Sequence, residues 1–110
     1  MTTDFVALCR RRPEESHTIT ALRAVGPELS IGAVGPLLQI RDEANHPLVT
    51  VEGPLLVQAP GEPLRLLGIH VDVPVWWVEA RAETDNPRAA LVAWQFVTKL
   101  AEQTEGQSWP

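Results

Sequence analysis

The chain has 110 residues and a formal net charge of -5, and 45% of its residues are hydrophobic while 21% are charged. This length suits one domain with a single core, and the composition is typical of a folded protein rather than a disordered one. The acidic balance opposes general nucleic-acid binding, and no apolar run approaches the roughly 20 residues that a membrane span needs. The first residues lack the pattern of a signal peptide. We therefore expect one domain over residues 1–110 that is cytoplasmic, binds no nucleic acid and does not insert into membranes.

The first half of the chain predicts a strand, a helix, a short strand and a hairpin. The expected ranges are 5–10, 13–25, 29–31, and 37–42 with 47–52 for the hairpin. Pro13 suits the start of the helix, and Gly26-Pro27 ends it. The hairpin turn contains Asn45, which tolerates a left-handed backbone.

Alternation along the hairpin assigns its side chains to two faces. Leu38 and Ile40 share the predicted core face with Val49 and Val51. The other face is expected to carry a mixed set that includes Leu48, Thr50 and Glu52, as in an antiparallel sheet that is wet on one side.

The second half predicts a short strand, a short helix, a longer strand and a long helix. The expected ranges are 55–58 after the Gly53-Pro54 break, 64–67, 75–83, and from Pro87 to about 104. The long helix has a clear start, because Asn86 suits the N-cap and Pro87 the first helical position, and Gly106 offers a C-terminal stop.

The strand over 75–83 alternates between an apolar face and a charged one. The predicted core face carries Trp76, Val78, Ala80 and Ala82, and the other face carries Val75, Trp77, Glu79, Arg81 and Glu83. Ala80 and Ala82 are small enough for the following helix to cross closely. A helical wheel places Trp94 and Phe96 on that helix's buried side and leaves Leu91 exposed.

Runs of strands flanked by helices indicate an α+β fold. We expect a single antiparallel sheet of about five strands, with the long C-terminal helix and the shorter N-terminal helix packed on one face. The opposite sheet face would then be open. Such a face is a reasonable protein-binding surface when it displays a central aromatic side chain.

Trp77 is the strongest signal for function, because it stands on an otherwise charged strand face and tryptophan is enriched at interface hot spots. The predicted partner-binding residues are Trp77, Leu48, Thr50, Glu79, Arg81 and Leu91. The partner would be another protein or a second copy of the chain, in a homodimer. Alternatively, another segment covers Trp77, such as the tail with Trp109.

Catalytic and metal-binding patterns are weak in this sequence. His70 and Asp72 could chelate together, but no cluster completes a metal site. The single cysteine, Cys9, alternates like a small core residue. We expect a non-enzymatic protein without catalytic, cofactor or metal residues. The alternative is an enzyme or small-molecule binder with a tryptophan-lined pocket, whose polar groups would be His70, Asp72, Glu79 or Arg81.

Three stretches carry a resemblance to a group of proteins. They are residues 47–54 (PLVTVEGP), residues 74–82 (PVWWVEARA) and the terminal Trp109-Pro110. In the spacing and the types of their residues, these stretches resemble uncharacterised actinobacterial proteins encoded near type VII secretion systems. The resemblance brings no catalytic motif. It implies an intracellular actinobacterial protein that serves as an accessory or chaperone-like factor for a secretion system.

Overall fold

The computed structural model describes residues 2–110. Its strands are β1 (Thr2–Cys9), β2 (Ser30–Val34), β3 (Leu37–Arg41), β4 (Pro47–Val57), β5 (Val75–Glu83) and β6 (Gln107–Trp109). Its helices are α1 (Glu15–Val25), α2 (Glu62–Leu67) and α3 (Pro87–Gln103). Within the described residues, no helix is long and apolar enough to cross a membrane.

The strands form one antiparallel sheet in the order β2-β3-β4-β5-β1-β6. We call the side on which α1 and α3 pack the helix face, and the opposite side the second face. The α+β class, the single antiparallel sheet and the long C-terminal helix are confirmed. The sheet has six strands rather than about five, because the three residues of β6 pair with β1 and are too few for alternation to reveal.

The main core lies between α3 and the centre of the sheet. Ala80 and Ala82 on the helix face of β5 are fully buried, as are Ala89 and Ala93 on α3. These side chains end at Cβ, so the helix backbone can approach the sheet closely without leaving voids. Phe96, with 0% of its surface exposed, fills the space beyond the alanines.

The N-terminus of α3 ties two distant loops to the helix. The Asn86 side chain accepts a hydrogen bond from the backbone N–H of Arg88 at 3.0 Å, which confirms the predicted cap. The Arg88 guanidinium pairs with Glu43 of the β3–β4 turn at 2.9 Å, and with Glu28, which precedes β2. The hydrogen bond that Arg88 donates to Glu43 is the largest cause of its raised pKa.

The C-terminus of α3 closes against β1. The backbone N–H of Gly106 donates to the carbonyl of Ala101 at 2.8 Å, and Glu105 takes the left-handed conformation with φ of 56°, as in a Schellman motif. The stop at this point was predicted, but the left-handed residue is Glu105. Gly106 is needed for another reason: a Cβ there would overlap the carbonyl oxygen of Leu8.

Leu48 lies on the helix face, so its predicted place on the open face is wrong. Ile40 pairs with Val49 whereas Arg41 pairs with Pro47, which makes Leu48 the extra residue of a β-bulge. The bulge turns Leu48 into the main core, where 0% of its surface is exposed. Alternation alone cannot anticipate such an insertion.

Other differences from expectation concern strand lengths and one tryptophan. β2 continues through Gly32, and β4 continues to Val57 with an irregularity at Gly53-Pro54 instead of breaking there. Trp94, expected in the core, is 45% exposed on α3. It borders Val25 of α1 in a surface hollow, because the buried stripe of α3 passes through its neighbour Ala93.

A second, smaller core covers half of the second face. Val6 and Leu8 of β1 and Val75 of β5 are its buried members. Partly buried side chains close over them: Val57, Leu67, Ile69, Val71, Val73, Trp77 and Trp109. The segment that contains α2 and the following connection therefore shields the β1 and β6 side, and the β2, β3 and β4 side of this face stays open.

Enlarging an alanine of the α3–β5 contact is expected to destabilise the fold. In Ala93→Leu, the added side chain must displace backbone or distort rotamers, so we expect the free energy of unfolding to fall by about 1–3 kcal/mol. Urea denaturation measures it. Ala24→Leu, at an exposed position of α1, is the matched control and should change stability by no more than about 0.5 kcal/mol. Equal effects of the two substitutions would contradict close packing at Ala93.

The close approach of Gly106 to β1 generates another prediction. Gly106→Ala should lower the free energy of unfolding by about 1–3 kcal/mol, since the methyl group would meet backbone that cannot rotate away. Gly32→Ala is the control, because a Cβ at Gly32 meets nothing within 4 Å. The comparison is made by thermal and urea denaturation. A Gly106→Ala protein as stable as Gly32→Ala would refute the contact.

Candidate interaction face

The second face carries its side chains in cross-strand rows. Leu8, Trp77 and Leu55 lie opposite one another on β1, β5 and β4. The next row contains Val6, Glu79 and Glu52, and the one after it contains Asp4, Arg81, Thr50 and Gln39. The face thus changes from apolar to charged and polar within three rows.

Trp77 stands at the border between the covered and open halves of this face. On one side, a hollow of about 370 Å³ is lined by Glu52, Leu55 and Arg81 together with the Gly53-Pro54 segment. On the other side, a hollow of about 580 Å³ lies between β1 and α2. Trp77 and Glu79 line both hollows, so the pair forms a ridge between them.

The irregularity in β4 positions Leu55 beside Trp77. Gly53 has φ of 112°, and a Cβ at this residue would lie 2.5 Å from the carbonyl oxygen of Trp77. Only glycine fits both conditions. The register shifts between Glu52 and Leu55, which brings Leu55 opposite Trp77 with 65% of its surface exposed.

Arg81 holds together two carboxylates that would otherwise repel each other. Glu52 and Glu79 are directly opposite in the β4–β5 register, an unfavourable arrangement for like charges. The Arg81 guanidinium lies 2.7 Å from a carboxylate oxygen of each. The hydrogen bond that it donates to Glu52 is the largest cause of the raised pKa of Arg81.

The same network reaches the tryptophan. The indole Nε1–H of Trp77 donates to Oε1 of Glu79 at 3.4 Å, and Glu79 in turn pairs with Arg81. The ring is therefore oriented by its polar edge, while its carbon surface borders the two hollows. An apolar plane with a fixed orientation and a charged rim is typical of interface hot spots.

The structure brings together four of the six predicted partner-binding residues. Trp77, Thr50, Glu79 and Arg81 share the second face in adjacent rows. Leu48 is buried on the helix face, as described above. Leu91 is 52% exposed but belongs to α3, on the opposite layer of the fold, so it cannot share a surface with Trp77.

The predicted partner-binding set omits three residues beside Trp77. The sequence predicts Leu55 in a separate short strand, and the β4–β5 register shift brings it opposite Trp77. The sequence places Glu52 on this face, but its ion pair with Arg81 depends on the β4–β5 pairing. Trp109, the predicted alternative cover for Trp77, packs in the same small core.

The remaining chemical candidates lie apart from this face. His70 and Asp72 are exposed on the connection after α2, where Asp72 pairs with Arg10 at 4.0 Å. Among residues 2–110 there is no group of three His, Cys, Asp or Glu side chains arranged to hold a metal ion. Cys9 is fully buried, and burial raises the pKa of its thiol.

Comparison with known proteins adds no assignment. No family model, no curated protein and no solved structure matches the chain. The resemblance to actinobacterial proteins encoded near type VII secretion systems stays a prediction.

Removing Arg81 is expected to destabilise the protein through the carboxylates that it leaves behind. Because Arg81 is about one third exposed, solvent screens part of the effect, and Arg81→Met should cost about 0.5–1 kcal/mol at neutral pH. The loss should shrink at high ionic strength, where salt screens the repulsion between Glu52 and Glu79. Denaturant unfolding at several salt concentrations measures it.

Arg65→Met is the matched control for that substitution. Arg65 pairs with a single carboxylate, Glu62, on the solvent side of α2 at 2.7 Å, and its removal leaves no opposed acidic pair. Its effect on the free energy of unfolding should be smaller and less dependent on salt. If the two variants lost the same stability with the same salt dependence, Arg81 would form only an ordinary surface ion pair.

Proposed function

We propose that this protein is a non-enzymatic interaction module that binds another protein, or a second copy of itself, through the open half of the second sheet face. The main support for the proposal is the position of Leu55 directly opposite Trp77, at the edge of that open half. Leu55 is 65% exposed, and the two side chains border the same hollow. Exposed apolar side chains next to a charged rim are the pattern that protein interfaces use.

The charge arrangement supports a protein partner over a highly charged ligand. Arg81 is already neutralised by Glu52 and Glu79, each at 2.7 Å. The face therefore offers hydrogen-bonding groups around an apolar centre and little net attraction for a phosphate or polyanion. With a net charge of -5, the chain also opposes nucleic acid as a partner.

The biological setting that we propose rests on the resemblance of three segments described above. It points to a cytoplasmic, actinobacterial protein that serves a type VII secretion system as an accessory or chaperone-like factor. A small domain with an open sheet face suits that role, because it can shield an apolar segment of a client. A homodimer through this face would hide the same surface until a client displaces one copy.

Small-molecule binding is the alternative, and one observation favours it. The hollow beside Trp77 measures about 370 Å³, which falls in the range of roughly 300–1,000 Å³ that small-molecule sites occupy. However, the polar groups expected for such a site are divided. His70 and Asp72 border one hollow, whereas Glu79 and Arg81 border another. The carboxylates of Asp72 and Glu79 are both outside the buried core. Interaction with a protein accounts better for the exposed leucine.

Light scattering on purified protein tests the proposal. If the wild type is a dimer, Leu55→Arg should give a folded monomer, because a charge would enter the apolar centre of the interface. Trp77→Ala should act in the same direction. Trp94→Ala is the matched control, since Trp94 is 45% exposed on the opposite layer, and it should leave the assembly intact. Circular dichroism confirms folding of each variant.

If the wild type is a monomer, homodimerisation is wrong, and the same variants are compared for binding to a client. The candidate clients are purified substrates of a type VII secretion system. Leu55→Arg should weaken binding by about thirtyfold or more, which corresponds to the loss of one hot-spot contact. Unchanged assembly and unchanged client binding in both folded variants would rule out this face.

A further inference from the structure

The outer edge of the sheet at β2 has no partner strand among the described residues. β2 pairs with β3 along one side only, and Ser30, Gly32, Ala33 and Val34 are exposed. Sheet edges are usually protected by charged residues, proline, a bulge or very short length. The five residues Ser30–Val34 contain no charge and no proline, and their pairing with β3 shows no register shift.

The opposite edge of the sheet shows the protection that β2 lacks. β6 has three residues and is followed directly by Pro110, which cannot donate to a further strand. Trp109 also anchors β6 to the small core of the second face. The open edge at β2 is therefore a local feature of that strand and not a general property of this sheet.

An apolar cleft lies beside the open edge, on the helix face. It measures about 470 Å³ and is bounded by the first half of α1, by β2, β3 and β4, and by α3. Its apolar walls include Ile19, Ile31, Ala33, Leu38 and Phe96. Because the exposed Ala33 belongs to both the edge strand and the cleft wall, the cleft opens at this edge.

The charged residues that line the cleft are both acidic. Glu14 caps α1, and Glu15 opens its first turn, while no lysine, arginine or histidine among the described residues lines the cleft. A cationic side chain would therefore be attracted to the rim. A second copy of the chain would bring the same acidic rim, with Glu14 and Glu15, to this edge, which disfavours it as the occupant of the cleft.

We propose that β2 and this cleft bind an extended peptide segment of a partner protein by strand addition. The free N–H and C=O groups of β2 would pair with the peptide backbone over about 17 Å, the length of five strand residues. Alternate apolar side chains of the peptide enter the cleft beside Ile31 and Ala33, since directly opposite residues share a face. A lysine or arginine of the peptide lies near Glu15. This site is separate from the face that contains Trp77.

Fluorescence polarisation with labelled peptides tests the proposal. The probe is a peptide of about seven residues that alternates valine and threonine after one arginine. Its controls are a version with a central proline and a version with glutamate in place of arginine. The wild-type protein should bind the probe saturably and bind each control about tenfold more weakly or worse. Leu55→Arg, on the other face, should bind the probe like the wild type.

Variants of the protein locate the binding. Ala33→Lys puts a charge into the cleft opening and should weaken binding by about tenfold, whereas Val34→Lys, on the same strand but facing the second face, should change it less than about twofold. Glu15→Arg should reverse the preference between the arginine and glutamate peptides. Circular dichroism and thermal denaturation establish that each variant is folded.

Three results would overturn the proposal. The first is the absence of saturable binding of the arginine peptide to the folded wild type. The second is equal binding by folded Ala33→Lys and Val34→Lys. The third is a wild-type dimer, seen by light scattering, that becomes a monomer in Ala33→Lys, because the occupant of the edge would then be a second copy of the chain.

Discussion

The close crossing of α3 over the centre of the sheet is the contact on which the rest of this structure depends. Ala80 and Ala82 on β5 belong to the same core as Ala89 and Ala93 on α3, and all four are fully buried. Small side chains on both elements bring the helix close to the strand, so the large residues of the core must pack on either side of this contact. Phe96 and Leu100 do so on α3.

This central contact leaves both faces of the β2, β3 and β4 side incompletely covered. On the helix face, α3 covers the middle of the sheet, and the space between α1 and the outer strands remains a cleft. On the second face, the segment with α2 covers the β1 and β6 side only. The surfaces proposed for binding are the parts of the sheet that the chain's own elements do not reach.

Local chemistry made much of the fold predictable from the sequence. Alternation assigned the faces of β5 correctly, Asn86 and Pro87 marked the start of α3, and Asn45 takes the expected left-handed conformation with φ of 66°. These signals depend on the preferences of a few neighbouring residues. The length of β2 was underestimated because Gly32, a usual breaker, is tolerated within the strand.

The candidate site was harder to predict, because its composition depends on pairing between distant segments. One inserted residue at Leu48 reverses the face to which that leucine belongs. The shift at Gly53 brings Leu55 beside Trp77, although 22 positions separate them in the sequence. The sequence predicts that Leu91 and Trp77 both lie outside the core, but exposure carries no information about which layer a side chain occupies.

Site-specific photo-crosslinking in the native host can show whether the open half of the second face binds a partner. A benzophenone amino acid replaces Leu55 on the second face in one variant and Leu91 on α3 in the other; both positions are more than half exposed. Binding through this face should give a discrete crosslinked species, either a dimer or a heterologous adduct, from position 55 and none from position 91. A discrete adduct from position 91 alone, or none from position 55, would contradict binding through the open sheet face.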